Sequence, residues 1–243
     1  MSVAVVPDLV TLHVWGVPAR QVPSALAAMA LQRRAVSRSA GLTFFKILGT
    51  GAGRTFTVRD ADPRHWAVLA CWSDQRAVDA FERSAAVRRW DERAADTAAG
   101  GERMRVLMRP LASKGRWSGR EPFGDPTPQP YHGPVAAVTR ARLRARRAVA
   151  FWRAVPPVSA RLRDSPGLRL ALGIGESPLG LQGTFSLWES PAALRAFAYG
   201  SAEHRNAIAR TAAVGWYREE LFARLSVLDA QGSLGGVRVG AVT

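Results

Sequence analysis

Trp72-Ser73-Asp74-Gln75-Arg76-Ala77-Val78-Asp79-Ala80-Phe81 and Trp188-Glu189-Ser190-Pro191-Ala192-Ala193-Leu194-Arg195-Ala196-Phe197 share one punctuation. In each, a tryptophan closes an apolar strand-like run, a polar pair marks a turn, and a helical pattern leads to a phenylalanine. The two stretches are offset by 116 residues (188 − 72). Upstream, Gly41-Leu42 and Gly167-Leu168 are offset by 126 (167 − 41). The difference falls in residues 49–65, a polar and turn-rich segment. Such self-similarity signals two copies of one supersecondary unit.

The surrounding pattern agrees. In each half an alternating strand (residues 9–15; 135–143) precedes a helical stretch (24–37; 148–163). A glycine-led strand follows (42–48; 168–174), then the strand ending in tryptophan (66–72; 184–188). A helix (76–95; 192–213) and a last strand (104–109; 223–228) close the unit. Period-2 and helix-length patterns thus run β-α-β-β-α-β, the ferredoxin-like order. The sequence predicts an α+β fold of two tandem ferredoxin-like units forming a pseudo-dimeric α+β barrel. Its sheets are antiparallel, one side covered by helices and the other by the partner unit. Pro156-Pro157 should kink the first helix of the second half.

Four segments follow: an N-terminal unit (1–115), an ordered proline-rich connector (116–134), a C-terminal unit (135–230) and a flexible glycine-rich tail (231–243). Pro122, Pro126, Pro128, Pro130 and Pro134 keep the connector extended.

Composition narrows the function classes. Charged residues make up 22% and hydrophobic ones 47%, as in a soluble globular protein. Neither a membrane-length apolar run nor a secretion signal is apparent, so a cytoplasmic location is expected. The single cysteine, Cys71, rules out an internal disulfide and any multi-cysteine metal site. It sits in an apolar strand, where a buried inert thiol is expected. Net charge is +15, and Lys46 and Lys114 are the only lysines, so arginine carries nearly all of it. Those arginines are scattered and no zinc-finger or RNP-type string accompanies them, which argues against nucleic acid. Anionic membrane surfaces and carboxylate ligands remain as partners. Gly49-Thr50-Gly51-Ala52-Gly53 lacks the spacing of a dinucleotide loop and the lysine of a P-loop, and reads as a hairpin or insertion loop. No GxSxG nucleophile elbow is present.

Several strings are too specific for filler: Gly115-Arg116-Trp117-Ser118-Gly119-Arg120-Glu121-Pro122-Phe123, Phe151-Trp152-Arg153-Ala154-Val155-Pro156, Gly173-Ile174-Gly175-Glu176, Thr184-Phe185-Ser186-Leu187-Trp188, and Gly215-Trp216-Tyr217-Arg218-Glu219-Glu220-Leu221-Phe222-Ala223-Arg224. Together they resemble the spheroidene monooxygenase family, across residues 41–228. The resemblance implies a carotenoid-oxygenating, haem-dependent enzyme. In related haem enzymes of tandem ferredoxin-like build, the second unit holds haem between its sheet and helices, with a helix-borne histidine on iron.

That expectation can be placed on residues. Of His13, His65, His132 and His204, only His204 falls on a second-unit helical stretch. Gly200 can end one helix and Ser201 cap the next, with His204 in its first turn. The helix dipole there favours the neutral imidazole that iron requires. Haem b is therefore expected with His204 as metal ligand and without covalent attachment, since no CxxCH occurs. On strand 182–188, Gln182 and Ser186 share the polar face and are the expected catalytic residues orienting dioxygen. Arg140, Arg142 and Arg116 are the expected propionate partners. Expected partners are an apolar small-molecule substrate, dioxygen and an electron donor. Peripheral membrane contact and homo-oligomers are compatible with the chain. Two alternatives stay open: a haem-dependent dehydratase of a nitrogen-containing substrate, and a cofactor-free monooxygenase or small-ligand binding protein of the same fold.

Overall fold

A computed structural model describes residues 6–51, 60–95, 101–143, 162, 164–176, 183–200 and 217–240. The first unit comprises β1 (Leu9–Gly16), α1 (Val22–Ser37), β2 (Leu42–Gly51), β3 (Ala61–Trp72), α2 (Gln75–Glu82), α3 (Ala85–Ala95) and β4 (Arg103–Gly115). The second comprises β5 (Val135–Leu143), β6 (Leu168–Gly175), β7 (Gly183–Trp188), α4 (Pro191–Gly200), β8 (Tyr217–Leu234) and β9 (Val237–Arg238). The strands run in the order β4-β1-β3-β2-β6-β7-β5-β8-β9, and β4 also pairs with β8. The first eight therefore close into an antiparallel α+β barrel of two ferredoxin-like units, as the sequence predicts.

The repeat is visible in the register. Trp72 lies opposite Leu9 and Leu42, and Trp188 lies opposite Val135 and Leu168. Where the units meet, equivalent residues face each other: Gly49 pairs with Gly175 in one seam and Arg109 with Ser226 in the other. A pseudo-two-fold axis thus runs through both seams. The two glycine-leucine pairs have one cause. Gly41 (φ 69°) and Gly167 (φ 78°) are left-handed, and a Cβ on either would meet the Ala77 Cβ at 2.5 Å or the Ala193 Cβ at 2.6 Å. Their carbonyls accept from Ser73 N–H and Glu189 N–H. The helices after the tryptophans are capped alike: Asp74 accepts from Ala77 N–H at 2.9 Å and Ser190 Oγ from Ala193 N–H at 3.2 Å. Each such cap contributes about 1 kcal/mol.

Alternating strand residues divide the core. Val10, Leu12, Val14, Leu69, Met104, Met108, Val138, Phe185, Leu187, Leu225 and their neighbours fill the barrel. Trp15, Trp66, Trp72, Val78, Phe81 and Trp90 fill the space between the first sheet and its helices. Trp188, Leu162 and Leu194 begin the matching layer in the second unit.

Some elements differ from the sequence expectation. Residues 76–95 form two helices, because Ser84 breaks the run and its Oγ accepts from Val87 N–H. Gly49-Thr50-Gly51 is the end of a strand rather than a loop, held by the seam with β6. Residues 231–240 are not a loose tail: β8 continues to Leu234, turns at Gly235-Gly236 into β9, and buries Val239 against the barrel interior. Most of the expected helix 148–163, and helix 192–213 beyond Gly200, lie outside the described residues.

Candidate functional site

The two units carry the same strands but clothe their helix-facing sides differently. One row across the first sheet reads Leu107, Thr11, Ala70, Phe45; the same row in the second reads Arg224, Ala137, Ser186, Ala171. The next row reads Arg105, His13, Val68, Ile47 in the first and Phe222, Thr139, Thr184, Gly173 in the second. Beyond it, Trp15 is answered by Ala141. In the first unit these positions are occupied by stacked bulk: His13 lies on Trp15 at 5.4 Å, Trp15 on Trp90 at 5.9 Å, and Trp72 on Phe81 at 4.9 Å. In the second, Ala171, Gly173, Thr139 and Ala141 stand for Phe45, Ile47, His13 and Trp15, while Trp188 keeps its stack on Phe197 at 5.2 Å and Arg224 and Phe222 stand for Leu107 and Arg105. The strands leave the second face low where the first is full.

Ser186 is buried in the middle of this low face and accepts from Trp188 Nε1–H at 2.9 Å. In the first unit the equivalent Trp72 donates instead to Thr11 Oγ1 at 2.9 Å. Thr11 pairs with Ala70, and Ala137 with Ser186. One hydroxyl has changed strands within the same cross-strand pair. Ser186 thus satisfies a buried indole while keeping its own O–H as a donor.

A second cluster forms inside one mouth of the barrel, where three of the specific sequence strings meet. Glu176 accepts from Trp117 Nε1–H at 2.6 Å, Lys46 Nζ at 2.6 Å and Arg140 Nη2 at 2.9 Å. Glu219 accepts from Arg140 Nη1, and from the backbone N–H groups of Ser118 at 2.9 Å and Gly119 at 2.6 Å. Lys46 Nζ also bonds Ser118 Oγ at 2.6 Å. Lys46 and Arg140 stand over the Trp117 ring, and Arg120 over Phe44. Burial pushes both carboxyls up, but these donors outweigh it and hold Glu176 and Glu219 below the usual carboxylate range. The chain reverses here through Gly115 (φ 98°), Ser118 (φ 55°) and Gly119 (φ 73°). A Cβ on Gly115 would sit 2.1 Å from the Glu220 carbonyl oxygen, which explains the glycine. With Trp117 and Phe123 buried, residues 115–123 clasp both units over the barrel mouth.

The chain matches known relatives along most of its length. Spheroidene monooxygenase from Rhodobacter capsulatus is 34% identical over 218 residues, covering 87% of this chain and 86% of that protein. The chain belongs to the spheroidene monooxygenase family. The family's enzymes from Rubrivivax gelatinosus and Cereibacter sphaeroides are 36% and 33% identical, over 82% and 79% of this chain and 74% and 58% of theirs. It is accordingly a monooxygenase-like enzyme. No family model matches the chain. Among solved structures, two of aldoxime dehydratase align over 93% of this chain, one of them in complex with butyraldoxime. Their TM-scores are 0.58 and 0.59, at 16% and 14% identity and covering 84% and 81% of those chains, a likeness of fold.

Of the expected site residues, Ser186 lies on the low face. Gln182 and His204 lie outside the described residues. Arg140 does not face the helix-covered side: it points into the barrel with Val138 and Ala136, 4% exposed, and is committed to Glu176 and Glu219. Arg142 shares that alternation and is exposed at the mouth; Arg116 is exposed and paired with Glu121 at 3.1 Å. None of the three lies on the low face, where Arg224 does. Sequence reasoning missed Lys46, Glu176 and Glu219 as one cluster, although Glu176 and Glu219 stand in quoted strings and Lys46 is one of two lysines among many arginines.

Two of the remaining histidines are otherwise engaged. His13 is fully buried under Trp15 and Phe81, and burial, against the pull of Glu82, holds its pKa below the ordinary value. His65 lies between Asp62 at 2.7 Å and Glu102 at 2.6 Å. His132 is exposed in the connector. Cys71 is buried inside the barrel, and burial pushes its thiol far up, so it stays protonated. Among the described residues no group of three or more His, Cys, Asp or Glu could hold a metal ion.

Proposed function

We propose that this chain is a haem-dependent oxygenase acting on an apolar, carotenoid-like polyene, with haem b over the low face of the second sheet. The observation carrying the reading is the contrast between Phe45, Ile47, His13 and Trp15 and their counterparts Ala171, Gly173, Thr139 and Ala141. A broad flat group needs such a stripped face, and the first unit has none. Spheroidene, the substrate in the relatives' name, supports a polyene.

The residues fit such a group. Small apolar and hydroxyl side chains form the floor, and Arg224 supplies a forked donor for carboxylates at its edge. His204, in the sequence shortly beyond α4, would be the ligand for iron. When bound, haem would supply dioxygen activation, one oxygen atom entering the substrate and the other leaving as water with two electrons from a donor and two protons from solvent. The chain's own part is positional. Ser186, anchored by Trp188, offers a donor on the sheet side, and Gln182, the residue before β7 in the sequence, would be a second one. Phe222, Thr139 and Thr184 line the same row and exclude water from an apolar guest.

Haem reconstitution of the purified chain tests the reading. A Soret band lost or strongly shifted in His204→Ala, with dioxygen uptake dependent on reductant and polyene, is expected. An unchanged spectrum in His204→Ala overturns the ligand, and turnover without dioxygen overturns the oxygenase.

A further inference from the structure

No Asp or Glu occurs between Asp8 and Asp60, a stretch that holds Arg20, Arg33, Arg34, Arg38, Lys46, Arg54 and Arg59. Helix α1 lies in this stretch and is apolar on both sides. Its inner side, Ala25, Ala28, Val36 and the polar Gln32, is buried on the first sheet. Its outer side carries Leu26 (39% exposed), Ala27, Ala30 and Leu31 (77% exposed), continued along the same stripe by Arg34 and Arg38. An outward helix face is normally charged or polar. Here two leucines and two alanines project into solvent with arginine after them and no acid near them in sequence.

We infer that the outer face of α1 is a docking surface for anionic lipid bilayers. Leucines entering the acyl boundary with arginines at the phosphate level is the pattern of interfacial helices. Arginine suits that place because its fork meets phosphate oxygens in pairs. A second copy of this chain is the less suitable occupant, since it would bring the same arginines face to face on a molecule of net charge +15. Among the described residues no helix is long and apolar enough to cross a membrane. A polyene, on the reading proposed above, dissolves in the layer to which α1 would hold the enzyme. The docking surface itself stands on α1 and does not depend on haem.

Flotation with vesicles decides it. The full chain should float with vesicles of phosphatidylglycerol and phosphatidylcholine in equal parts, stay behind with phosphatidylcholine alone, and be released by salt. Leu31→Glu combined with Arg34→Glu should weaken binding by at least about tenfold, since each surface-proximal arginine alone accounts for about fivefold. Gln75→Glu combined with Arg76→Glu, on exposed positions of α2, changes net charge equally and should keep most of the binding. Circular dichroism confirms that both variants fold. Equal loss in both variants would leave only net charge, and persistence of binding in the first would clear α1; either overturns the surface. Concentration-dependent dimers abolished by the α1 variant, without vesicle binding, would assign the face to a second copy instead. Haem spectra are independent of every outcome, so failure here and failure of the oxygenase reading are separable.

Discussion

Phe45 and Ala171 occupy the same place in their two units. Each sits one step past a bulge, opposite the residue two before the unit's closing tryptophan, Ala70 in one case and Ser186 in the other. Phe45 packs on the Trp15 layer, and Arg33 lies over its ring at 5.9 Å. A methyl group stands where that ring would be in the second unit. Repetition of one unit supplies two equal sheets; among the described strand residues only the first presents Phe45, Ile47, His13 and Trp15 to its helices.

Restoring the bulk should therefore remove function without removing the fold. Ala171→Phe, and separately Gly173→Ile, should abolish haem uptake and oxygenation while the far-ultraviolet circular dichroism stays that of the parent. Any loss of stability should remain within the about 1–3 kcal/mol typical of overpacking. Titration with haem followed at the Soret band reads the result. Normal uptake in Ala171→Phe would mean that the low face is not the seat.

Much of this fold was legible because its determinants are local and doubled. Gly41 and Gly167 are glycine for the same steric reason, and Asp74 and Ser190 cap equivalent helices, so the sequence repeats where the geometry does. The site was harder to read. Arg140 was legible as an arginine for carboxylates, but alternation along β5 decides whether it faces helices or barrel, and its carboxylates are Glu176 and Glu219. Those partners come from strands far apart in sequence, and no local pattern announces that Lys46, Trp117, Arg140, Glu176 and Glu219 converge. The stripped face was equally hidden. It appears only when cross-strand rows of one unit are laid beside those of the other.

The clasp should act on stability and not on haem. Arg140→Ala leaves Glu219 and Glu176 facing one another without the cation between them, at a cost of about 3 kcal/mol, the low end for a broken buried pair because both carboxylates keep some solvent. Haem affinity should not change, which separates this role from propionate binding. The pH dependence follows from the sign of the shifts. Both carboxyls are held below their unfolded values, so their contribution is complete above about pH 4.3 and is lost as pH falls through the folded values. Urea melts of the parent and Glu176→Gln should therefore differ most at neutral pH and converge in acid.

His65 should show the opposite dependence. Burial alone would lower its pKa, but the hydrogen bonds and charges of Asp62 and Glu102 outweigh it and raise the value. Glu102 also accepts from Gly236 N–H at 3.1 Å, so the histidine braces the β8–β9 turn against the start of β4. A raised folded value means that the stabilisation is fully present below about pH 6.5 and fades as pH rises through the folded value. His65→Gln should accordingly lose stability relative to the parent at pH 6 and little at pH 9, a comparison that denaturant melts at the two pH values make directly.

Ser186 carries two roles that a paired substitution can split. Ser186→Ala strips the buried Trp188 indole of its acceptor and should cost about 1–3 kcal/mol as an unsatisfied donor. It should also lower oxygenation if the hydroxyl meets the guest. Ala137→Thr places a hydroxyl where Thr11 stands in the first unit, within reach of the same indole by the register of β5 and β7. The double variant Ala137→Thr, Ser186→Ala should therefore recover stability, read as the thermal midpoint. Turnover should stay low, because the threonine hydroxyl is spent on Trp188 and sits one strand away. Recovery of both would reduce Ser186 to a packing partner of the tryptophan and move the donor role to Gln182.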